Sequence, residues 1–581
     1  MPLELGTTLR PRRKRRRLFR FLLMLMFFFI VITGALAWFW LFKPSWQVVK
    51  PYGGAERVIV FQGSPTGASY LLESGQVLLT FDFLREVIDP NLYWDEPTRS
   101  VIVTTEDKVL RLPSEQVTAF LNRQPVHLQV PVREVDGVRY VPLEPIEKLY
   151  SYKFSLLEES GVLSIEKDGY AVQQARVAAA EGAAARTGAS RREPIVARLD
   201  AGETVDLLGE ENGWYRVFTS SGIVGFVPKE LLELTAVRQV NLEAESAAAK
   251  EKRPAVWKPL GEKVGLVWEH VVNRNPNTAE IGLLPGVNVV SPTWFELKDG
   301  EGTLWNKADP AYVNWAHQRG YQVWGLVTNG FNPDWTASVL SSFEKREKLV
   351  SQLLHYAHLY DLDGINIDFE NVYLADKERL VQFVRELTPY LHEQGLTVSI
   401  DVTIKSTSEN WSMFLDRAAL AEVVDYVALM TYDEHWATSP KAGSVASLPW
   451  TEKGLQGVLE EVPAHKLLLG VPFYTRLWTE EPQADGTVKV SSRALSMPRA
   501  QEWIKERNLT PVLDEASGQH YVEYRDPADG KTYKMWIEDK MSMEKRMELV
   551  KKYDLAGVAA WRRGFETPDI WTVIEAGVQR K

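Results

Sequence analysis

The residues best placed to do chemistry lie in one short stretch, Leu362-Asp363-Gly364-Ile365-Asn366-Ile367-Asp368-Phe369-Glu370. Successive side chains on a strand point to opposite faces. As a strand, the stretch puts Asn366, Asp368 and Glu370 on one face and Asp363, Ile365, Ile367 and Phe369 on the other. Members of the polar row are then about 6.6 Å apart, twice the rise per residue. A strand with one apolar face and one acidic face suits a barrel whose outside is covered by helices and whose inside rises to a site. In such barrels, residues at the carboxyl ends of strands carry the catalysis. Glu370 ends the polar row, where a general acid belongs.

Eight strands are needed to close such a barrel, and the last 320 or so residues supply them. Short apolar runs alternate with helical patterns from residue 261 onward, which is the signature of a parallel α/β architecture. The runs are Val264–Trp268, Val287–Ser291, Val323–Val327, the acidic stretch, Thr397–Asp401, Tyr426–Met430, Leu467–Val471 and Gly557–Trp561. The predicted fold is therefore a (β/α)₈ barrel over 261–581. An excess of roughly 65 residues lies between the seventh and eighth strands of this single barrel, which is otherwise of ordinary size for the fold. It contains Tyr521–Tyr524, a turn at Asp529-Gly530, and Tyr533–Trp536, which reads as a small α+β insertion at about 475–540.

Composition narrows the classes of partner. The chain has 581 residues and no cysteine, which excludes disulfides, thiolate metal sites and cysteine nucleophiles. Its net charge is -10, yet residues 10–20 carry eight basic side chains, so the remainder stands at -10 - 8 = -18. An acidic body argues against a nucleic-acid partner. The basic cluster, within a tail at 1–20, precedes the uninterrupted apolar run 21–42. That run is long enough to span a bilayer as a helix. Basic residues before it predict a cytoplasmic N-terminus and an extracellular remainder. Cleavage after Ala35-Leu36-Ala37 as a signal peptide, releasing a secreted protein, is the alternative.

Between this run and the barrel, residues 50–168 hold a weak internal repeat. Each copy reads as a strand, a short helix, and a strand pair closed by a turn. Residues 170–195, rich in Ala, Glu, Arg and Gln, read as a connector with little to bury. Up to 235, short alternating strands with glycine-bearing turns indicate a small β-barrel: Leu199–Leu208, Gly213-Trp214-Tyr215-Arg216-Val217 and Gly222–Val227. Residues 236–260 read as a charged, alanine-rich linker.

The acidic stretch resembles the signature of glycoside hydrolase family 18, the family of chitinases, endo-β-N-acetylglucosaminidases and spore-germination cortex hydrolases. It differs from the common form in having Asn366 where an aspartate is usual. An asparagine cannot share a proton with Asp368, although its amide can hydrogen-bond to it. Three further matches agree: Met430-Thr431-Tyr432-Asp433 after the sixth strand, Gly470-Val471-Pro472-Phe473-Tyr474-x-Arg476 on the seventh, and Trp561 ending the eighth. The 50–168 module resembles the N-terminal repeats of copper amine oxidases, and the small β-barrel resembles bacterial SH3-like domains, some of which bind cell-wall peptides.

The resemblance implies a mechanism that uses no metal and no cofactor. The 2-acetamido carbonyl of the sugar attacks the anomeric carbon, in place of a protein nucleophile. Glu370 is then the acid and afterwards the base, Asp368 orients the acetamide, and Tyr432 hydrogen-bonds to it. Asp433 contacts the sugar and Trp561 stacks beneath it, with Asn366, Met430, Tyr474 and Arg476 completing the substrate site. The expected partner is an N-acetylated polysaccharide. A membrane-anchored enzyme acting on peptidoglycan or spore cortex is one reading, chitin hydrolysis is the second, and a silent sugar-binding scaffold is the third.

Overall fold

The computed structural model describes residues 13–242, 254–259 and 263–579. Residues 1–12 of the basic tail and much of the 236–260 linker lie outside the described residues. The chain divides into two compact units: Met1–Phe83 with Val135–Lys250, and Leu84–Glu134 with Glu251–Lys581.

In the first unit, Arg13–Phe42 forms one helix. Its segment Leu18–Leu36 is long and apolar enough to cross a membrane, with a mean hydropathy of 2.4. A seven-stranded sheet follows between Ala171 and Gln239. Two of its strands, Ala171–Val177 and Ala183–Arg186, fall where the sequence was read as a connector. Ala175 and Ala185 are fully buried there, beside Val205, Val217 and Val227. The interior of this small sheet is narrow, so alanine methyls fill it where larger side chains would not fit, and low hydrophobicity concealed two core strands.

The second unit is the barrel. Its strands are β1 (Val264–Glu269), β2 (Val289–Pro292), β3 (Gln322–Thr328) and β4 (Gly364–Asp368), then β5 (Thr397–Thr403), β6 (Tyr426–Met430), β7 (Leu467–Pro472) and β8 (Gly557–Trp561). Every neighbouring pair is parallel, and β1 pairs with β8 while β2 pairs with β3, which closes the ring. Alternation along each strand separates two cores. Val264, Leu266 and Trp268 of β1 meet Trp324, Leu326, Ala428, Leu468 and Ala559 inside the barrel. Ile365 and Ile367 of β4, with Val398 and Ile400 of β5, pack outward against the helices. Gly364 opens β4 because a Cβ there would lie 2.6 Å from the Thr397 carbonyl oxygen and 2.8 Å from the Trp324 ring.

The excess between β7 and β8 is a five-stranded antiparallel sheet, Tyr474–Ile537, with the helix Met497–Glu506 against it. It is tied to the loop after β6. Trp478 Nε1 donates to the Gly443 carbonyl at 2.8 Å, and Ser444 Oγ donates to Gln519. Arg546 joins both sides, pairing with Glu538 at 2.6 Å and donating to the Ala446 carbonyl at 2.6 Å.

Residues 84–134 belong to this second unit. Their five-stranded sheet, Tyr93–His127, packs beside the helices α1 (Phe343–Tyr360) and α2 (Lys377–Glu393). The contact centres on Arg346, which is wholly buried. Its guanidinium donates to both carboxylate oxygens of Glu386 at 2.8 Å and lies 3.1 Å from Asp95. Asp95 also accepts the Phe343 amide at 2.9 Å. At the edge of this contact, Arg123 pairs with Glu347 at 2.6 Å and stacks over Tyr390. Removing one member of a buried pair strands the charge of the other, at a cost of about 3–5 kcal/mol. Arg346→Met is therefore expected to destabilise this unit by about that amount in denaturant unfolding. Arg99→Met, which removes only the exposed pair to Glu134, should change stability by less than about 1 kcal/mol.

Candidate active site

Asn366 and Asp368 lie on β4 with the inward parity that the sequence implies. Glu370 follows just beyond the strand's end, at the carboxyl mouth of the barrel. Its position is fixed through the main chain by Asn329, which follows β3. The Asn329 side chain donates to the Glu370 carbonyl at 2.7 Å and accepts the Glu370 amide at 3.1 Å. Asn329 is fully buried, and Thr336 lies 2.9 Å from the same amide nitrogen. The clamp leaves the Glu370 carboxyl free to face the mouth. Asn329 was not among the residues expected from the sequence. Its signal was a polar residue directly after the third barrel strand, in Thr328-Asn329-Gly330.

Asn366 is completely buried, and both polar atoms of its amide have partners. Its oxygen accepts from Trp268 Nε1 at 2.9 Å and from Ser291 at 3.1 Å, and its nitrogen donates to Asp401 Oδ1 at 2.8 Å. The sequence allowed this amide to bond to Asp368. The structure gives it to Asp401 on β5, and Asn366, fully buried, sits beneath the site. Asp368 Oδ1 is buried with no hydrogen-bond partner.

Burial controls the electrostatics. It is the first cause of the raised pKa of Glu370, held well above the ordinary carboxylate range, with the charges of Asp368 and Asp433 adding to it. Burial also pushes Asp368 up to about 7. Asp401 is raised well above its usual value by burial first and by Asp368 next. Tyr432, half-buried after β6, is held neutral by burial and by Asp401.

Asp433, in the left-handed region with φ 62°, is held from the side. Tyr474 donates to its Oδ1 at 2.6 Å and Arg476 at 3.1 Å. Tyr474 and Arg476 are themselves buried, so their reach ends at Asp433. Met430 ends β6 and Trp561 ends β8, and both are partly exposed. The Trp561 ring packs edge-on against Trp268 at 6.0 Å and His270 at 5.7 Å. Next to Trp268, Glu269 forms a two-point pair with Arg563, with Nη2 at 2.9 Å from Oε1. The loops after β3 to β6 also expose Phe331, Tyr373, Trp411 and Trp436, with Phe331 and Trp411 6.3 Å apart. Exposed rings beside a mouth of carboxyls suit the apolar faces of sugars.

A barrel with acidic side chains at its carboxyl mouth, ringed by exposed aromatics, has the layout of a glycoside hydrolase domain. Residues 329–566 match the family model of glycosyl hydrolases family 18. Residues 61–165 match the copper amine oxidase N-terminal domain and residues 181–233 the bacterial SH3 domain. An uncharacterized glycosylase of Bacillus subtilis, YvbX, is 26% identical over 304 residues, covering 50% of this chain and 85% of that one. The cortical fragment-lytic enzyme of Bacillus subtilis is 27% identical over 252 residues, 43% of this chain and 57% of that enzyme's length. Among solved structures, the spore cortex-lytic enzyme SleL of Bacillus megaterium aligns with a TM-score of 0.49 at 20% identity, over 60% of this chain and 79% of that one.

Two outcomes follow from this geometry. Asn329→Ala should lower kcat by up to about 100-fold with the Glu370 side chain intact, because small displacements of a reacting group cost that much. Steady-state kinetics alongside a melting curve would check it. The second concerns linkage. An acid whose folded pKa is raised keeps its proton when the unfolded chain has lost it, so folding loses stability as pH rises through the unfolded value toward the folded one. Glu370→Gln removes this penalty. Its Tm relative to wild type should therefore be higher at pH 7 than at pH 4, and a constant difference would refute the assignment.

Proposed function

We propose that the protein cleaves β-linked N-acetylglucosamine-containing glycan by substrate-assisted, retaining catalysis, with peptidoglycan or spore cortex as its substrate. The observation that carries this reading is the placing of Glu370 two residues beyond Asp368 at the mouth of β4, where burial first, and then the Asp368 and Asp433 charges, hold its carboxyl well above the ordinary carboxylate range. A general acid needs a pKa near the working pH. Glu370 gives its proton to the departing glycosidic oxygen and then takes one from the attacking water. Asp368 accepts from the acetamide N–H and faces the positive charge of the oxazolinium intermediate. The neutral Tyr432 hydroxyl donates to the acetamide oxygen. Asp433, steadied by Tyr474 and Arg476, meets the sugar hydroxyls. Trp561 and Met430 form the apolar floor. Phe331, Trp411 and Trp436 extend this surface for a longer chain of sugars.

The cell-wall assignment is supported by three features. The matched relatives include a cortical fragment-lytic enzyme. The helix at Leu18–Leu36 would anchor the catalytic unit outside the cell, with the basic residues before it kept inside. The third is Arg562, next to Trp561. Its guanidinium stacks on Phe565 at 3.9 Å and has no ion pair among the described residues. A cation left unpaired beside the sugar floor suits the lactyl carboxylate of N-acetylmuramic acid, which chitin lacks.

Glu370→Gln should reduce turnover on purified peptidoglycan at least about 100-fold. Near-normal release of reducing ends by this variant would defeat the reading. Arg562→Met should lose at least about tenfold more kcat/KM on muramic-acid-containing fragments than on neutral N-acetylglucosamine oligomers, the value of one charge-assisted hydrogen bond. Equal losses on both would favour chitin as the substrate.

A further inference from the structure

Asp368 has a buried oxygen without a partner, and the residue two positions before it on the same strand cannot share its proton. We propose that Asp401 on β5 is the proton partner of Asp368, holding the proton that leaves Asp368 ionised toward the substrate's acetamide. The inference rests on the role given to Asp368 above.

Strand register brings the two carboxyls together. On the parallel pair β4–β5, Asn366 stands opposite Ser399 and Ile367 opposite Ile400, so Asp368 comes opposite Asp401 one step later. Both have the inward parity of Asn366, whose side chain crosses the interior to Trp268 and Ser291. The 2.8 Å bond from Asn366 Nδ2 occupies Asp401 Oδ1 as an acceptor. Oδ2 is left to carry a proton, and Asp368 Oδ1 is the atom that lacks a donor.

Two adjacent carboxyls out of water cannot both be ionised without large cost, so the pair holds one proton between them. Asp401 is the more enclosed, at 3% exposure, while Asp368 is partly open to the mouth. Burial therefore favours the neutral form at Asp401 and the ionised form at Asp368. The other groups acting on Asp401 are Glu370 beyond β4, whose charge opposes its ionisation, and the Asn366 and Trp268 donors, which favour it. Tyr432 after β6 feels the Asp401 charge in turn. The transfer is self-contained. The proton moves from Asp401 Oδ2 to Asp368 Oδ1 or back, one carboxyl gains what the other loses, and no bond of the substrate changes. Asp401 thus acts through Asp368 and is a positioning residue.

The test uses the full-length chain in detergent, with reducing ends released from purified peptidoglycan measured across pH. Asp401→Asn should lower kcat at least about tenfold with KM within about twofold, and shift the pH profile, because no second carboxyl is left to hold the proton of the pair. Moving the carboxyl to the other strand, in Asn366→Asp with Asp401→Asn, should recover at least half of the lost kcat and return the profile toward its original position. The proposal is overturned if Asp401→Asn keeps wild-type kcat and pH profile. It is also overturned if the double variant is as impaired as the single one while both melt like wild type. Glu370→Gln is measured in parallel. If it too is fully active, the catalytic reading of the whole site has failed; if it is inactive while Asp401→Asn is normal, only the role of Asp401 is lost.

Discussion

Withdrawal of carboxyl groups from water is the constraint on which this site depends. Asp368 ends β4, Glu370 follows it and Asp401 lies on the neighbouring β5, and burial heads the causes that raise all three. An ionised carboxylate moved into such surroundings without a partner is costly, and the group responds by keeping its proton. The barrel thereby holds the Glu370 carboxyl well above the ordinary carboxylate range. The surrounding structure keeps these groups close: the eight-strand ring sets the register, Asn366 and Trp268 tie the interior together, and Asn329 holds the Glu370 main chain.

The same constraint sets a division of labour among the polar residues. Some donors face the buried layer and some face the mouth. Asn366 belongs to the first group, with its amide spent on Trp268, Ser291 and Asp401. Tyr474 and Arg476 lie between the two, because the Tyr474 hydroxyl and Arg476 Nη2 both donate to the Asp433 carboxylate. Asp368, Glu370, Tyr432 and Asp433 stay partly exposed at the mouth, with the partly open rings beside them. The insertion contributes by rigidity, since Trp478, Gln519 and the Arg546–Glu538 pair fasten it to the loop that begins at Tyr432 and Asp433.

Much of this was legible in the sequence. All eight barrel strands were found, with β6 and β8 to the residue, because parallel strands buried on both sides read as unbroken apolar runs. The acidic face of β4 was visible from parity alone. Asp401 stood within a quoted strand, on the same parity as Thr397 and Ser399, and went unremarked because its importance lies in what stands opposite it. Register between strands is a property of the closed ring and cannot be read from either strand by itself. Asn329 escaped for a similar reason, since its partner is main chain 41 residues away. The strands at Ala171–Val177 and Ala183–Arg186 were hidden because alanine carries too little apolar signal to mark a core.

The Arg346 contact has a bearing on how the chain can be divided. The match to the amine oxidase N-terminal domain spans 61–165, but residues 84–134 fold with the barrel, and Asp95 reaches into its helices. A fragment cut at the 236–260 linker would uncover Phe343, Tyr390 and a charge pair that evolved under cover. Recurrent sequence modules and cooperative folding bodies therefore have different borders in this chain. A hydrolase domain excised along the family borders would carry an unhealed face, prone to self-association, and comparative work on the isolated barrel should start at residue 84 or keep the chain whole.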